Sequence, residues 1–75
     1  MFIGRFENKN GIIYQAIDER TVASLPKPNG KPFDHAYGRL LVVFRVPKEW
    51  ESEAFWRAKS GWLNDHVAWE YNGIS

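Results

Sequence analysis

Residues 39–46 read RLLVVFRV, and this stretch decides the fold of the 75-residue chain. Its middle, from Leu40 to Phe44, is apolar without interruption, and Pro47 follows the stretch. A strand with one solvated face alternates polar and apolar residues, whereas a strand buried on both faces is continuously apolar. We therefore predict a central strand over 39–46 that is covered on both sides.

The N-terminal residues predict a β-hairpin, because two apolar stretches flank the turn sequence NKNG. Placing Phe2 opposite Ile17 and Phe6 opposite Ile13 keeps these apolar side chains on one face of the hairpin. A tight turn centred on the Asn-Gly pair would mix the two faces. We therefore expect a longer loop with Gly11 in a left-handed conformation.

After Pro47, the sequence KEWESEAFWRAKSG predicts a helix over about residues 48–60. Proline is tolerated in a first helical turn, and the glutamates near the start favour a helix N-terminus. Arg57 and Lys59 favour a C-terminus, and Gly61 can close the helix.

The periodicity of this helix separates a core stripe from a polar face. At roughly 100° per residue, the apolar residues that fall on one side, and that we expect in the core, are Trp50, Ala54, Phe55, Ala58 and Trp62. Trp56 lies on the polar side. It is either covered by the long middle segment or exposed as an anchor for a partner, a role in which tryptophan is favoured.

Residues 66–71, HVAWEY, complete the predicted sheet. They alternate apolar and polar side chains, which favours a strand, although Leu63, Val67 and Tyr71 also fit helical spacing. We predict the strand. The chain is then a single α+β domain, 1–75, in which a small antiparallel or mixed sheet carries one helix on a face.

Composition excludes several classes of protein. Hydrophobic residues make up 44% of the chain and charged residues 25%, as in an ordinary globular domain, and the size supports one core. The chain has no cysteine and no apolar run of membrane-spanning length, from which we expect a cytoplasmic protein that contacts no membrane. Domains near this size are marginally stable alone, so a homodimer is compatible with the sequence.

The middle of the chain, residues 24–38, SLPKPNGKPFDHAYG, follows neither helical nor strand periodicity. Before it, DERTVASL predicts a short helical turn with Asp18 as its cap. Long loops of this kind in compact domains are usually functional, and three prolines stiffen this one. The alternative is structural, with Phe33 and Tyr37 holding the segment over the sheet as a lid. The sequence leaves both readings open.

Charge is distributed unevenly along the chain. Between positions 20 and 48, Asp34 is the one acidic residue, against the basic residues Arg20, Lys27, Lys31, Arg39, Arg45 and Lys48. From position 49 onward five residues are acidic and two are basic. The asymmetry suggests a basic surface for phosphate or for an acidic protein patch. The pI of about 8.1 is below the value above 9 that is typical of nucleic-acid binders.

Catalysis has little support in the sequence. The pairs Asp34-His35 and Asp65-His66 supply groups for general acid–base cleavage of RNA or for a metal. However, adjacent residues of a strand point to opposite faces, and no catalytic or nucleotide-binding motif is present. We therefore expect no enzyme activity, no cofactor and no metal.

The leading functional hypothesis is a small non-catalytic binding protein, an inhibitor or adaptor that occupies a surface of a larger protein or nucleoprotein complex. Small chains of this kind are often encoded by phages and mobile elements to block host machinery or defence, which is an association only. The basic and aromatic side chains expected to contact the partner are Lys27, Lys31, Phe33, His35, Tyr37 and Trp56.

Two alternatives remain open. The first is a nucleic-acid-binding module that uses the basic and aromatic residues of 24–45, for which binding would fall steeply with salt. The second is a small ribonuclease-like toxin that uses His35 and His66.

Overall fold

The computed structural model of the protein describes residues 1–29 and 31–71, and it confirms the α+β class. In chain order the elements are β1 (Phe2–Asn8), β2 (Gly11–Ile17), α1 (Glu19–Ser24), β3 (Phe33–His35), β4 (Gly38–Arg45), a 3-10 helix (Lys48–Glu53), α2 (Ala54–Ser60) and β5 (Val67–Glu70). All strand pairings in these ranges are antiparallel, so the sheet is antiparallel and not mixed. No helix of the described part is long and apolar enough to cross a membrane.

β4 is the central strand, as its sequence predicts. Each residue of 40–44 is at most 8% exposed. β1 pairs along one side of β4, while β3 and β5 pair with the two halves of the other side. The register with β1 shifts between Arg5 and Phe6, which leaves Leu41 without a partner in β1. This bulge explains how the neighbours Leu41 and Val42 both belong to the same core.

The hairpin of β1 and β2 has the predicted register, with Phe2 opposite Ile17 and Phe6 opposite Ile13. The prediction of a longer loop is wrong, since only two residues, at positions 9 and 10, lie between the strands. The turn sits one position before the Asn-Gly pair. Gly11 then has a φ of +113° at the start of β2, as predicted, so the register needs no additional loop residues.

β5 confirms the predicted C-terminal strand, and the helical alternative for these residues is wrong. Val42 pairs with Glu70 and Val43 with Trp69. The amide of Tyr71 donates to the carbonyl of Leu41 at 2.7 Å, which extends the pairing beyond the strand.

The sheet has a hydrophobic core on each face, because alternate side chains of a strand point in opposite directions. The first core lies under α2 and contains Ile3, Leu41, Val42, Phe44, Val46, Ala54, Ala58 and Leu63. The second core lies under α1 and the middle segment and contains Phe2, Phe6, Ile17, Val22, Leu40, Val43 and Tyr71. Different segments therefore cover the two faces of the sheet. A side chain on α2 and a side chain on the middle segment lie on opposite sides of the molecule.

α1 begins at the predicted cap. The carboxylate of Asp18 accepts a hydrogen bond from the backbone N–H of Thr21 at 2.7 Å. This hydrogen bond from the backbone of Thr21, together with one from the Thr21 side chain, lowers the pKa of Asp18. Val22 of α1 is buried in the second core, so this short helix is the first part of the cover on that face.

The middle segment is both a lid and an exposed loop. Leu25 and Phe33 pack against the second core, and the hydroxyl of Tyr71 donates to the carbonyl of Pro26. The lysines at positions 27 and 31 are exposed. The structural alternative is therefore correct for Phe33, whereas Tyr37, which it also placed over the sheet, is 46% exposed although its ring contacts Phe6.

The predicted helix over 48–60 is a 3-10 helix followed by the seven-residue α2, and its core stripe is partly wrong. Ala54 and Ala58 are buried as predicted, and Trp50 packs beside them. Phe55 and Trp62 are 42% and 54% exposed. The prediction applied α-helical spacing from residue 48 onward. A 3-10 helix has about 3.0 residues per turn, so the side chains that follow it point in other directions than the α-helical spacing predicts.

Gly61 ends α2, so Trp62 lies outside the helix to which the periodicity assigned it. Gly61 has a φ of +88°, and the amide of Trp62 donates to the carbonyl of Arg57 at 2.9 Å. This is the Schellman arrangement, which turns the chain away from the helix axis. Leu63, which is fully buried, takes the core position instead.

Folding stability is expected to fall as the pH rises above about 10, the usual pKa of a tyrosine. Tyr71 is 1% exposed, and its burial raises the pKa of the phenol. The folded state therefore keeps this proton where the unfolded chain has lost it, and the stabilisation disappears as the pH rises through the folded-state pKa. Urea denaturation at about pH 8 and about pH 11 should show a smaller loss for Tyr71→Phe than for wild type. Tyr37→Phe, at an exposed site, is the control, and equal losses in both variants would contradict the prediction.

Candidate partner-binding surfaces

The six residues predicted to contact a partner lie on opposite faces of the sheet. Lys27, Lys31, Phe33, His35 and Tyr37 belong to β3 and to the loops before and after it, on the side of the second core. Trp56 is on α2, over the first core. The structure therefore does not bring the predicted set together into one surface.

Lys27 and Lys31 come together at a small cavity of about 160 Å³. Phe33 and Tyr71 supply aromatic walls, with ring centroids 6.2 Å apart, and two prolines and Asn29 line the remainder. Two exposed ammonium groups beside an apolar cavity can hold an anionic group whose body is flat and apolar. This is the part of the predicted site that the fold assembles.

His35 and Tyr37 form a second cluster over Phe6. The rings of His35 and Tyr37 stack at a centroid distance of 5.4 Å, and both contact Phe6, at 5.4 and 5.5 Å. The backbone N–H of Tyr37 donates to Nδ1 of His35 at 3.4 Å. His35 also lines an open cleft of about 540 Å³ with charged walls that include Asp34 and Arg39.

The basic residues of the middle region do not form one surface. Arg39 and Arg45 stand near the two ends of β4, about 20 Å apart at the rise of an extended strand. The guanidinium of Arg45 lies 5.0 Å from the ring centroid of Phe2, and Arg39 borders the cleft at the other end. The positive charge seen along the sequence is therefore spread over the molecule.

The two histidines are too far apart to act on one scissile bond. His35 pairs with Gly38 at the start of β4. The carbonyl of His66 accepts from the amide of Arg45 at the end of β4. A general acid and base must each reach the reacting group by about 3 Å or through one water, and β4 separates these imidazoles by about 20 Å. In residues 1–29 and 31–71, no three His, Asp or Glu side chains are grouped to hold a metal ion.

Two tryptophans are exposed together beside α2. Trp56 is 58% exposed and Trp62 54% exposed, and their ring centroids are 5.7 Å apart. We call this pair the tryptophan face. The neighbouring Phe55 adds a further exposed aromatic side chain at 42%. Large aromatic side chains with this exposure on a small domain are characteristic of recognition surfaces.

Arg57 fixes the position of the tryptophan face from beneath. Its guanidinium lies between two indole rings, 4.3 Å from the centroid of Trp50 and 4.5 Å from that of Trp62. Nη2 donates to the carboxylate of Glu53 at 3.0 Å. The side chain is only 13% exposed, so both rings and Glu53 restrain it. Such stacking reduces the rotamer freedom that Trp62 would lose on binding.

Acidic side chains outnumber lysines in the part of the chain that carries the tryptophan face. Over positions 48–65 the exposed carboxylates are those of Glu49, Glu51, Glu53 and Asp65, against the exposed ammonium groups of Lys48 and Lys59. Arg57 adds little to the solvent-facing charge because the rings cover it. Two of these carboxylates are already paired, since Glu51 lies 3.4 Å from the N-terminal ammonium group and Glu53 lies 3.0 Å from Arg57. Glu49 and Asp65, which have no ion pair among the described residues, suit a basic partner surface better than a phosphate backbone.

The prediction from sequence found Trp56 but missed Trp62. The signal for Trp62 was present, since Gly61 was predicted to close the helix. The chain changes direction at a glycine that ends a helix. A residue after that glycine no longer follows the helical spacing and does not belong to the core stripe of the helix. No comparable signal exists for Arg57, whose contacts with Trp50 and Trp62 depend on the tertiary position of the chain after α2.

Comparisons with known proteins add nothing about function. No protein-family model matches the sequence, and no curated protein or solved structure is significantly similar to it.

Proposed function

We propose that this protein is a small non-catalytic binding protein that acts as an inhibitor or adaptor by inserting its tryptophan face into a larger protein. The observation that carries the proposal is the pair of half-exposed indole rings of Trp56 and Trp62, held in contact with each other beside α2. Tryptophan and arginine are the residues most enriched among those that dominate binding energy at protein interfaces.

The partner that fits this face is a folded protein with an apolar pocket bordered by basic side chains. The pocket would receive the indole rings, and the basic border would face the carboxylates of Glu49 and Asp65, which precede and follow α2 in the chain. Opposite charges at the rim of an interface mainly raise the association rate and fix orientation. A nucleic-acid partner would place phosphates against these carboxylates, which is unfavourable.

The restraint on the rings also supports a role in binding. Stacking of Arg57 against Trp62 and its hydrogen bond to Glu53 hold the face in one arrangement before any partner is met. A preorganised anchor loses little side-chain entropy on association, so a small contact area can still give useful affinity.

A second candidate function is binding of single-stranded nucleic acid at the cavity beside Lys27 and Lys31. The observation in its favour is that Lys27 and Lys31 flank the same cavity, where the partly exposed Phe33 offers an aromatic ring. Phosphates would contact the lysines and a base would stack on the ring of Phe33. The dispersed positions of Arg39 and Arg45 weigh against a long basic track.

Replacing both tryptophans, Trp56→Ala with Trp62→Ala, is expected to remove partner binding. Residues that anchor an interface cost about 2 kcal/mol or more each, which corresponds to about 30-fold in affinity per residue. The tagged wild-type protein and its variants are used to capture proteins from cell lysate, and quantitative mass spectrometry compares them. The dissociation constant of the recovered partner is then measured with the purified pair.

The matched control is Lys27→Ala with Lys31→Ala, which alters the opposite face by the same number of substitutions. The proposal predicts a partner that is retained by this variant and lost by the double tryptophan variant. Partners that are retained by the tryptophan variant and lost by the lysine variant would contradict it. Binding to single-stranded oligonucleotides that depends on the lysines and falls steeply with salt would establish the second candidate instead.

A further inference from the structure

The two edges of the sheet differ in how they are protected. On one side the edge consists of β3, with three residues, and β5, with four residues, and the β4–β5 register is interrupted between Val43 and Phe44. Asp34 and Glu70 add charge to these short strands. Short, charged and bulged strands are the devices by which proteins prevent edge-to-edge pairing.

The opposite edge has none of these devices. β2, GIIYQAI, runs for seven residues without a charge or a proline, and its register with β1 is unbroken. Within the described ranges, β2 is paired with β1 alone, and no residue of 11–17 makes a backbone hydrogen bond to a loop or helix. One side of β2 therefore presents a row of unpaired amides and carbonyls, which an extended strand satisfies.

We propose that a second copy of this chain pairs antiparallel with β2, in the register that places Tyr14 opposite the partner's Tyr14. A twofold axis perpendicular to the sheet then passes between the two tyrosines. In an antiparallel pair, residues that face each other have their side chains on the same face of the sheet. This register pairs even-numbered with even-numbered residues and odd with odd, so each facing pair lies on one face. The two five-stranded sheets form one continuous sheet.

The side chains of β2 are complementary in this register. Ile12, 49% exposed in the single chain, lies opposite the partner's Ala16, so a large side chain faces a small exposed one. Ile13 lies opposite the partner's Gln15, and the two Tyr14 side chains face each other at the axis, so no charged side chain lies in the contact. No two like charges face each other, and cross-strand pairs of these kinds stabilise a sheet.

The same geometry explains why assembly would stop at two chains. After pairing through β2, the outer edges of the combined sheet are β3 and β5 of each copy, which are protected as described. A self-complementary contact of this kind closes on itself and gives a dimer, not a fibre. Because the axis is perpendicular to the sheet, both copies of α2 lie on the same side. The inference does not depend on the tryptophan face, although a dimer would present two of these faces together.

The test uses the mass in solution and a pair of charge variants. Wild type should sediment at twice the chain mass of 8.8 kDa and dissociate on dilution. Ile12→Lys with Ala16→Lys places a lysine opposite a lysine in both facing pairs, and dimer affinity should fall about 30-fold. Ile12→Lys with Ala16→Glu makes both facing pairs opposite in charge, and dimerisation should return to within about tenfold of wild type.

A cysteine variant tests the register without relying on charge. The chain contains no cysteine, so Tyr14→Cys introduces one thiol beside the axis, where two facing residues are close enough for a disulfide. Oxidation should give a covalent dimer, while Ala23→Cys, exposed on α1, should remain a single chain. A wild type that stays at 8.8 kDa at every concentration would overturn the proposal. Equal dimer affinities of the two charge variants, or equal cross-linking at the two cysteines, would also overturn it.

Discussion

Replacing Phe6 with alanine is expected to lower the free energy of unfolding by about 3 to 5 kcal/mol, the usual cost of truncating a buried phenylalanine. Phe6 is fully buried in the second core. Its ring contacts the rings of His35 and Tyr37, and the strand around it pairs on both sides, with Ile13 and with Leu40. The cavity left by alanine cannot be filled by collapse because the sheet holds its walls apart.

A domain of this size has a total stability of about 4 to 11 kcal/mol, so this single change removes a large fraction of it. The measurement is urea denaturation followed by tryptophan fluorescence, in which the midpoint should fall while the slope stays constant. Val67→Ala, at an exposed position of β5, is the control and should change stability by less than about 1 kcal/mol. A loss below about 1 kcal/mol for Phe6→Ala would show that Phe6 is not packed as described.

Gly38→Ala is expected to cost about 2 to 4 kcal/mol, because it combines backbone strain with a steric clash. Gly38 has a φ of +133°, a conformation that residues with a side chain rarely adopt. A Cβ at this position would also lie 2.7 Å from the backbone carbonyl oxygen of Glu7 in the neighbouring strand. Backbone cannot move aside as a flexible side chain can, so the contact between β1 and β4 must open.

Gly11→Ala shows how much of this loss comes from backbone strain and how much from the steric clash. Gly11 also has a positive φ, +113°, but a Cβ there would meet no atom within 4 Å. This variant should lose about 1 to 2 kcal/mol from strain alone. The difference between the two glycine variants in thermal or urea denaturation measures the clash with Glu7. Equal losses would indicate that the close approach of β1 to Gly38 does not exist in solution.

Gly38 and Phe6 stabilise the fold and also support the cluster of His35 and Tyr37. Phe6 is the support on which both rings rest, and Gly38 pairs with His35 where β3 meets β4. Loss of either residue should therefore change the environment of His35, which NMR of the imidazole protons can follow. The tryptophan face, on the other side of the sheet, should be affected less.

The short-range features of the fold were predictable from the sequence because each depends on neighbouring residues. The continuous apolar run defined β4, the alternation of Phe2, Phe6, Ile13 and Ile17 defined the hairpin register, and Asp18 marked the start of α1. The length of the hairpin turn was missed, because Gly11 allows the same register with fewer residues.

The candidate site was only partly predictable. Helical phase placed Trp56 away from the core but left open whether the middle segment covers it, and the structure shows it 58% exposed. Trp62 was assigned to the core because the phase was continued through a 3-10 helix and past Gly61, where neither the spacing nor the direction of the chain is that of an α-helix. The basic residues looked like one surface because they are near in sequence, yet β4 carries Arg39 and Arg45 to opposite ends.

By itself, the sequence determined the α+β class, the central strand and the hairpin register, since hydrophobic periodicity and turn chemistry act over a few residues. Only the tertiary structure decided which exposed residues meet. It placed Trp62 against Trp56 and Arg57, brought Lys27 and Lys31 to one cavity, and left β2 paired with a single strand among the described residues. The physical reason is that surface neighbours come from distant parts of the chain, and their meeting depends on how the sheet and its covering segments pack.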